Sequence, residues 1–131
     1  MSIVQTFPTS GLHALIIEDD MIVGLDLQAH LAGLGYESFA FASTADQAVE
    51  QAKLRAPDLA TVDVGLLDGD GLAAVRAVEA ECGPVPTLFI TGDPERAQAA
   101  HPGRVVLAKP FAAGRLRDAV ERVRAQTTAP G

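Results

Sequence analysis

The segment Leu12-His13-Ala14-Leu15-Ile16-Ile17 is an apolar run that leads directly into three acids, Glu18-Asp19-Asp20. A short run rich in branched aliphatic side chains predicts a β-strand buried on both faces, as in a parallel sheet. Three carboxylates at the end of a buried strand repel one another, so a cation should compensate them. Mg²⁺ prefers oxygen ligands and commonly combines one or two carboxylates with phosphate oxygens. The segment therefore predicts a magnesium site linked to phosphate chemistry, and the simpler alternative is that Asp19 or Asp20 caps the next helix.

Four more short apolar segments follow along the chain and alternate with helical patterns. The predicted strands cover residues 12–17, 36–41, 59–62, 86–90 and 105–108. Such alternation predicts an α/β fold in which helices cover both faces of a parallel five-stranded sheet, with right-handed crossovers. The ligand site of such a sheet lies beyond the carboxyl ends of the strands.

The helical patterns have recognisable ends. The first helix carries an apolar face from Val23 to Leu34 and is predicted to end at Gly35. The second extends from an N-cap at Thr44 to Arg55, and the third from Leu72 to about Glu81. Pro94 opens a short fourth helix, which Pro102 and Gly103 stop. The last helix has an apolar stripe made of Leu116, Val120 and Val123.

Composition limits the classes of function. The 131 residues are 48% hydrophobic and carry a formal net charge of −7, which predicts one globular domain and disfavours a nucleic-acid partner. We expect a domain core at about 12–124 and loose tails at 1–11 and 125–131. A single cysteine, Cys82, indicates a reducing compartment, and we expect a cytoplasmic protein without zinc. No apolar run approaches the roughly 20 residues of a membrane span, so membrane association is not expected.

Polar side chains follow four of the five predicted strands. Glu18-Asp19-Asp20 follow the first strand, Asp63 the third, Thr91 the fourth and Lys109 the fifth. Each feature alone has an ordinary structural explanation, because an acid after a strand is usually a turn former and Lys-Pro is a common turn. Their occurrence at successive carboxyl ends is not expected from four independent turns. The set therefore predicts one site at that edge of the sheet.

Asp63 is placed to act as a carboxylate nucleophile that accepts a phosphoryl group as an acyl phosphate. The repulsion between an anionic acceptor and an anionic donor must be screened for this attack to occur. We expect Mg²⁺ bound by Asp19 and Asp63, with Glu18 acting through water and the Gly65 carbonyl as a backbone ligand. Lys109 would reach the phosphoryl oxygens, and Thr91 offers a hydroxyl donor to them. The Lys109-Pro110 bond is a candidate for a cis peptide.

These motifs together resemble the receiver domain of the two-component response-regulator family, across about Leu12 to Arg124. The resemblance is carried by Leu15-Ile16-Ile17-Glu18-Asp19-Asp20, by Asp63 with Asp70-Gly71, by Ile90-Thr91-Gly92 and by Lys109-Pro110-Phe111. It implies a flavodoxin-like (βα)5 fold, a doubly wound parallel sheet with strand order 2-1-3-4-5. It also implies Asp63 as phosphoacceptor, Lys109 and Thr91 as its catalytic partners, Mg²⁺ as cofactor, and a histidine kinase or histidine phosphotransfer protein as donor.

Two positions depart from the family pattern. Leu67 stands four residues after Asp63, where receivers usually have proline. Val106 stands three residues before Lys109, where the family has the aromatic side chain that couples to the threonine. The run Phe89-Ile90-Thr91-Gly92 is similar to a subgroup of receivers that carries a Phe-Ala-Thr-Gly motif and lacks that aromatic side chain.

The expected function is a stand-alone receiver in phosphorelay signal transduction that catalyses only its own phosphorylation and dephosphorylation. We expect no effector domain after Arg124, so the expected output is binding to a partner protein. The sequence also allows a homodimer. One alternative is a docking or dimerisation module that works without phosphorylation. Another is a small phosphatase with an aspartate nucleophile, but such enzymes have a second Asp where this chain has Gly65.

Overall fold

Five strands alternate with five helices in the computed structural model, which describes residues 11–65 and 71–128. The strands are β1 (Leu12–Ile17), β2 (Tyr36–Ala42), β3 (Leu59–Asp63), β4 (Thr87–Thr91) and β5 (Val105–Ala108). The helices are α1 (Met21–Ala32), α2 (Ala45–Leu54), α3 (Gly71–Cys82), α4 (Pro94–Ala100) and α5 (Ala113–Thr128). Every strand therefore begins and ends within one residue of its predicted bounds.

All five strands are parallel and form one sheet in the order β2-β1-β3-β4-β5. The predicted flavodoxin-like α/β fold and its strand order are confirmed. Strand β1 pairs with β2 on one side and β3 on the other, and five of its six residues are buried. This position explains why its sequence is continuously apolar rather than alternating.

The two faces of the sheet carry separate cores because successive strand residues point to opposite sides. Ala14 and Ile16 of β1 pack in the core that includes α1 and α5, where the predicted stripe of Leu116, Val120 and Val123 is buried. Leu15 and Ile17 pack in the core that includes α2 and α3. No helix in the described residues is long and apolar enough to cross a membrane.

Two helix ends differ from the sequence prediction. Helix α1 ends at Ala32 with Gly33 as its C-cap, so Leu34 lies beyond the helix. Gly35 instead adopts a φ of +104° in the turn before β2, a conformation that glycine reaches without strain. Helix α5 continues to Thr128, beyond Arg124 where the core was expected to end. Local apolar spacing does not reveal where tertiary contacts bend or extend a helix.

Thr61 in the middle of β3 provides a test of the packing. Its hydroxyl oxygen is, among the described residues, the one buried side-chain polar atom that has no hydrogen-bond partner. We predict that Thr61→Val raises the free energy of unfolding by about 1 kcal/mol, because it removes an unsatisfied buried hydroxyl. Urea denaturation measures the change.

The matched control is Thr87→Val at the start of β4. The Thr87 hydroxyl is also buried but donates to the Val85 carbonyl oxygen at 2.8 Å. This variant should lower the free energy of unfolding by about 1 kcal/mol. Equal changes in the free energy of unfolding of the two variants would show that the missing hydrogen bond of the Thr61 hydroxyl does not destabilise the domain.

Candidate functional site

Two carboxylates and one ammonium group meet at the carboxyl edge of the sheet. The Nζ atom of Lys109 lies 3.2 Å from Oδ2 of Asp63 and 3.5 Å from Oε1 of Glu18. The side chains of Glu18 and Asp63 are only 2% and 11% exposed, and that of Lys109 is 28% exposed. Residues that are 46 and 91 positions apart in the chain therefore form one ion-pair cluster.

Backbone hydrogen bonds hold these residues in place beyond the ends of the strands. The Glu18 N–H donates to the Ala42 carbonyl at 2.8 Å, and the Lys109 N–H donates to the Thr91 carbonyl at 2.8 Å. Both bonds extend the backbone pairing of the sheet by one residue beyond β1 and β5. The backbones of Glu18 and Lys109 are therefore held by the sheet. The Lys109-Pro110 peptide is cis, as the sequence allowed.

Gly71 at the start of α3 allows this helix to approach the end of β3 closely. A Cβ atom at this position would lie 2.9 Å from the Asp63 carbonyl oxygen and 3.0 Å from Cγ1 of Val62. Any larger residue would therefore push α3 away from the end of β3. Asp70 of the Asp70-Gly71 motif and the departure at Leu67 fall outside the described residues.

The three acids after β1 have different environments. The Asp20 carboxylate accepts from the N–H groups of Ile22 and Val23 at 2.9 and 3.4 Å, so it is the N-cap of α1. For Asp20 the capping alternative is therefore confirmed. Asp19 is exposed, but it offers a carboxylate oxygen that lies within 4.8 Å of ligand oxygens of Glu18 and Asp63.

The donor set of Glu18, Asp19 and Asp63 fits Mg²⁺. It consists of carboxylate oxygens, which are the ligands this cation prefers, and it leaves positions for water and phosphate oxygens. The Gly65 N–H donates to Asp63 Oδ1 at 2.9 Å, which orients the carboxylate. The Gly65 carbonyl as a metal ligand stays a prediction.

Burial and the neighbouring charges shift the pKa values of Glu18 and Lys109. Burial, together with the charge of Asp63, raises the pKa of Glu18 to about 7, although the Asp20 N–H and Lys109 act in the opposite direction. Burial by itself would lower the pKa of Lys109, but the carboxylates of Asp63 and Glu18 outweigh it and raise that pKa. Lys109 therefore stays charged while Glu18 readily accepts a proton. A bound cation would remove this competition.

Thr91 lies at the end of β4, on the other side of Asp63 from Glu18. Its side chain is buried, and its hydroxyl oxygen accepts from the Asp93 N–H at 3.0 Å. Thr91 lines a cavity of about 370 Å³ together with Gly65, the residue that hydrogen-bonds Asp63. The structure thus brings together Glu18, Asp19, Asp63 and Lys109, with Thr91 beside them across this cavity.

Two features around the site were not predicted from the sequence. Met21, Ile22 and Leu25 of α1 are large apolar side chains that remain exposed, and Ile22 lines a cavity together with Lys109. They lie off the stripe of Val23, Leu27 and Leu31, and apolar residues on both sides of a helix were the available signal. Arg96 of α4 lines the cavity beside Thr91, and no sequence pattern distinguishes it from the other surface arginines.

Residues 14–121 match the model of the response regulator receiver domain. The chain therefore belongs to the family of response regulator receiver domains, as its motifs, strand order and acidic cluster indicated.

Individual relatives agree with this assignment. The phyllosphere-induced regulator PhyR of Methylorubrum extorquens is 40% identical over 84 residues, which make up 63% of this chain and 31% of PhyR. The KDP operon transcriptional regulatory protein KdpE of Escherichia coli K12 is 35% identical over 126 residues, which cover 90% of this chain and 55% of KdpE. The chain thus spans only part of the length of these curated relatives.

The fold has a close structural counterpart as well. The solution NMR structure of the PhyR response regulator REC domain of Erythrobacter litoralis superposes with a TM-score of 0.80 at 28% identity. The match covers 92% of this chain and 95% of that domain. The likeness therefore extends over one complete receiver domain.

The raised pKa of Glu18 predicts how stability depends on pH in metal-free buffer. Between about pH 5 and pH 7 the folded chain keeps a proton that the unfolded chain has released, so the free energy of unfolding falls as pH rises. We expect the melting temperature to decrease over this range, and Mg²⁺ to restore it at about pH 8 by binding the ionised cluster.

Glu18→Gln is the control because it keeps the shape of the side chain and removes its titration. Burial lowers the pKa of His13, which contributes a slope of the opposite sign, so the difference between wild type and variant is the quantity to compare. Identical slopes in the two proteins would show that Glu18 does not titrate in this range.

Proposed function

We propose that this domain accepts a phosphoryl group on Asp63 from the phosphohistidine of a histidine kinase or a histidine phosphotransfer protein, in a Mg²⁺-dependent reaction. The contact of Lys109 with both Asp63 and Glu18 at the sheet edge is the observation that carries the proposal. It places a cation beside a nearly buried carboxylate at the position where the family accepts phosphate.

The carboxylate of Asp63 is oriented for attack. The Gly65 N–H binds Oδ1 and Lys109 binds Oδ2, so the plane of the group is held from two sides. One carboxylate oxygen forms a bond to phosphorus while the N–P bond of the phosphohistidine breaks, and its electron pair returns to the imidazole nitrogen. Mg²⁺, held by Glu18, Asp19 and Asp63, would supply positive charge that screens donor from acceptor. Lys109 and the Thr91 hydroxyl would then bind phosphoryl oxygens.

The proposed reaction is confined to the chain itself. Phosphatases with an aspartate nucleophile use a second acid two residues later, and Gly65 occupies that position here. We therefore propose a phosphoprotein that catalyses its own phosphorylation and dephosphorylation and no turnover of an external phosphomonoester. A phosphorelay partner of this kind would operate in the cytoplasm, which agrees with the single cysteine.

The phosphoryl group would act by biasing a conformational equilibrium that a partner protein reads. The segment 93–106 is the proposed moving part, because it contains the seven-residue helix α4 and follows Thr91 directly. Val106 stands in β5 where receivers usually have an aromatic side chain, and it packs half-buried against the core of α2 and α3. The proposed coupling therefore does not use an aromatic ring at this position.

An exposed apolar surface next to Lys109 suits the phosphodonor. A cavity of about 500 Å³ is lined by Ile22, Val23, Asp26, Lys109, Pro110 and Phe111. Ile22 is 80% exposed, and contiguous exposed apolar area commonly marks a protein-binding site. Because Lys109 lines this cavity and also binds Asp63, a protein that delivers a phosphoryl group to Asp63 must cover this side of the sheet edge. We propose that the phosphohistidine protein docks here.

Intact mass after incubation with acetyl phosphate tests the phosphoacceptor. We expect the mass of one added phosphoryl group in the presence of Mg²⁺ and none after chelation, since the metal screens the attack. Asp63→Asn should show no adduct. Asp93→Asn is a useful control, because Asn can still cap α4 as Asp93 does and the acceptor is untouched.

Absence of an adduct from acetyl phosphate and also from every histidine kinase offered would contradict the proposal. The domain would then function as a docking or dimerisation module that does not take phosphate.

The docking surface is tested separately from the chemistry. Ile22→Glu should slow phosphoryl transfer from a phosphorylated histidine kinase by about tenfold or more, because a charge replaces an apolar contact, and should leave labelling by acetyl phosphate unchanged. Leu54→Glu is the matched control, since Leu54 is 77% exposed at the end of α2. Equal transfer rates for both variants would place the phosphodonor on another surface.

A further inference from the structure

The cavity beside Thr91 extends the site towards α4. It has a volume of about 370 Å³ and is lined on one side by Gly65 and on the other by Arg96 and His101. The cavity borders Gly65, whose N–H donates to Asp63 Oδ1 at 2.9 Å, so it lies beside the carboxylate of Asp63. A group added to Asp63 on this side would enter a space that already contains a cationic side chain.

The charges of the acceptor site leave room for one more cation. Glu18, Asp19 and Asp63 can carry three negative charges, and Lys109 is already shared between two of these carboxylates. Phosphorylation turns the Asp63 carboxylate into a neutral acyl group and adds about two negative charges near neutral pH, so that Glu18, Asp19 and the phosphoryl group together carry about four. Even with a divalent cation bound, the phosphorylated cluster would keep an excess of negative charge.

Arg96 is available to supply that charge. Among the described residues its guanidinium group has no ion-pair partner, while its backbone N–H is held by Oδ1 of Asp93 at 3.3 Å. The other basic groups nearby are engaged with the ring of Phe89. His101 packs edge-on against it at 5.1 Å, and the Arg104 guanidinium lies 5.7 Å from its centroid.

We propose that Arg96 binds the phosphoryl group on Asp63 through the cavity that it shares with Gly65 and Thr91. The inference rests on the proposed function and adds a contact from α4 to it. The planar guanidinium group donates two parallel hydrogen bonds to phosphate oxygens, which an ammonium group cannot reproduce. This contact would couple the position of α4 to the phosphorylation of Asp63. It would replace the coupling that receivers usually obtain from an aromatic side chain at the position of Val106.

Binding of beryllofluoride in the presence of Mg²⁺ tests the contact, because this anion occupies the place of a phosphoryl group on a carboxylate. Isothermal titration should give about tenfold weaker binding for Arg96→Ala than for wild type, and an intermediate value for Arg96→Lys. The amide signals of α4 should shift on binding in the wild type and much less in Arg96→Ala. Arg122→Ala is the matched control, since Arg122 is an exposed arginine near the end of α5.

The melting temperature without anion separates a contact from a structural role. Arg96 is exposed, so Arg96→Ala and Arg96→Gln should have the melting temperature of the wild type.

Equal beryllofluoride affinity in wild type and Arg96→Ala would overturn the inference and leave the proposed function intact. Failure of the wild type to bind beryllofluoride or to accept phosphate would overturn both. A lower melting temperature in both Arg96 variants, with Arg96→Lys binding no better than Arg96→Ala, would assign Arg96 a structural role and also overturn the inference.

Discussion

The ammonium group of Lys109, placed between the carboxylates of Glu18 and Asp63, is the interaction on which the site depends. Carboxylates buried side by side at the edge of a sheet repel each other and lose hydration, so a cation between them is needed for compensation. The lysine comes from a third strand, so the contact joins the ends of β1, β3 and β5. It offsets the burial of Glu18 only in part, because the pKa of that carboxyl stays raised. A divalent cation would compensate the cluster further, and the phosphoryl transfer that we propose requires one.

The elements on the two sides of this contact are packed differently. Backbone bonds extend the sheet to Glu18 and Lys109, and Gly71 lets α3 pack directly on the end of β3. On the other side, α4 has seven residues, and a cavity separates it from the acceptor strand. We therefore expect a change at Asp63 to affect α4 more than α3. Arg96 is the side chain through which we infer that this happens.

Much of the fold and part of the site could be predicted from local patterns. Apolar runs predicted all five strands to within one residue, because a strand buried on both faces needs a continuous apolar segment. The strand-end residues Glu18, Asp63, Thr91 and Lys109 followed from those bounds. The ends of α1 and α5 were misplaced, because contacts with the rest of the domain decide where those helices stop. The position of Arg96 had no local signature. Apolar residues on both sides of α1 were a signal, but they did not show that Ile22 stays exposed, because exposure depends on which neighbouring elements cover a side chain.

The sequence by itself determined which elements form and which polar residues stand at the carboxyl edge of the sheet, because strand length and the alternation of strands with helices are properties of neighbouring residues. The tertiary structure decided which of those residues meet. Only the folded chain shows that Lys109 serves two carboxylates, that Asp20 caps α1 while Asp19 faces the acidic cluster, and that a cavity joins Gly65 to Arg96. Distances and pKa values of this kind depend on burial and on charges that are far apart in the chain, and local sequence patterns carry neither.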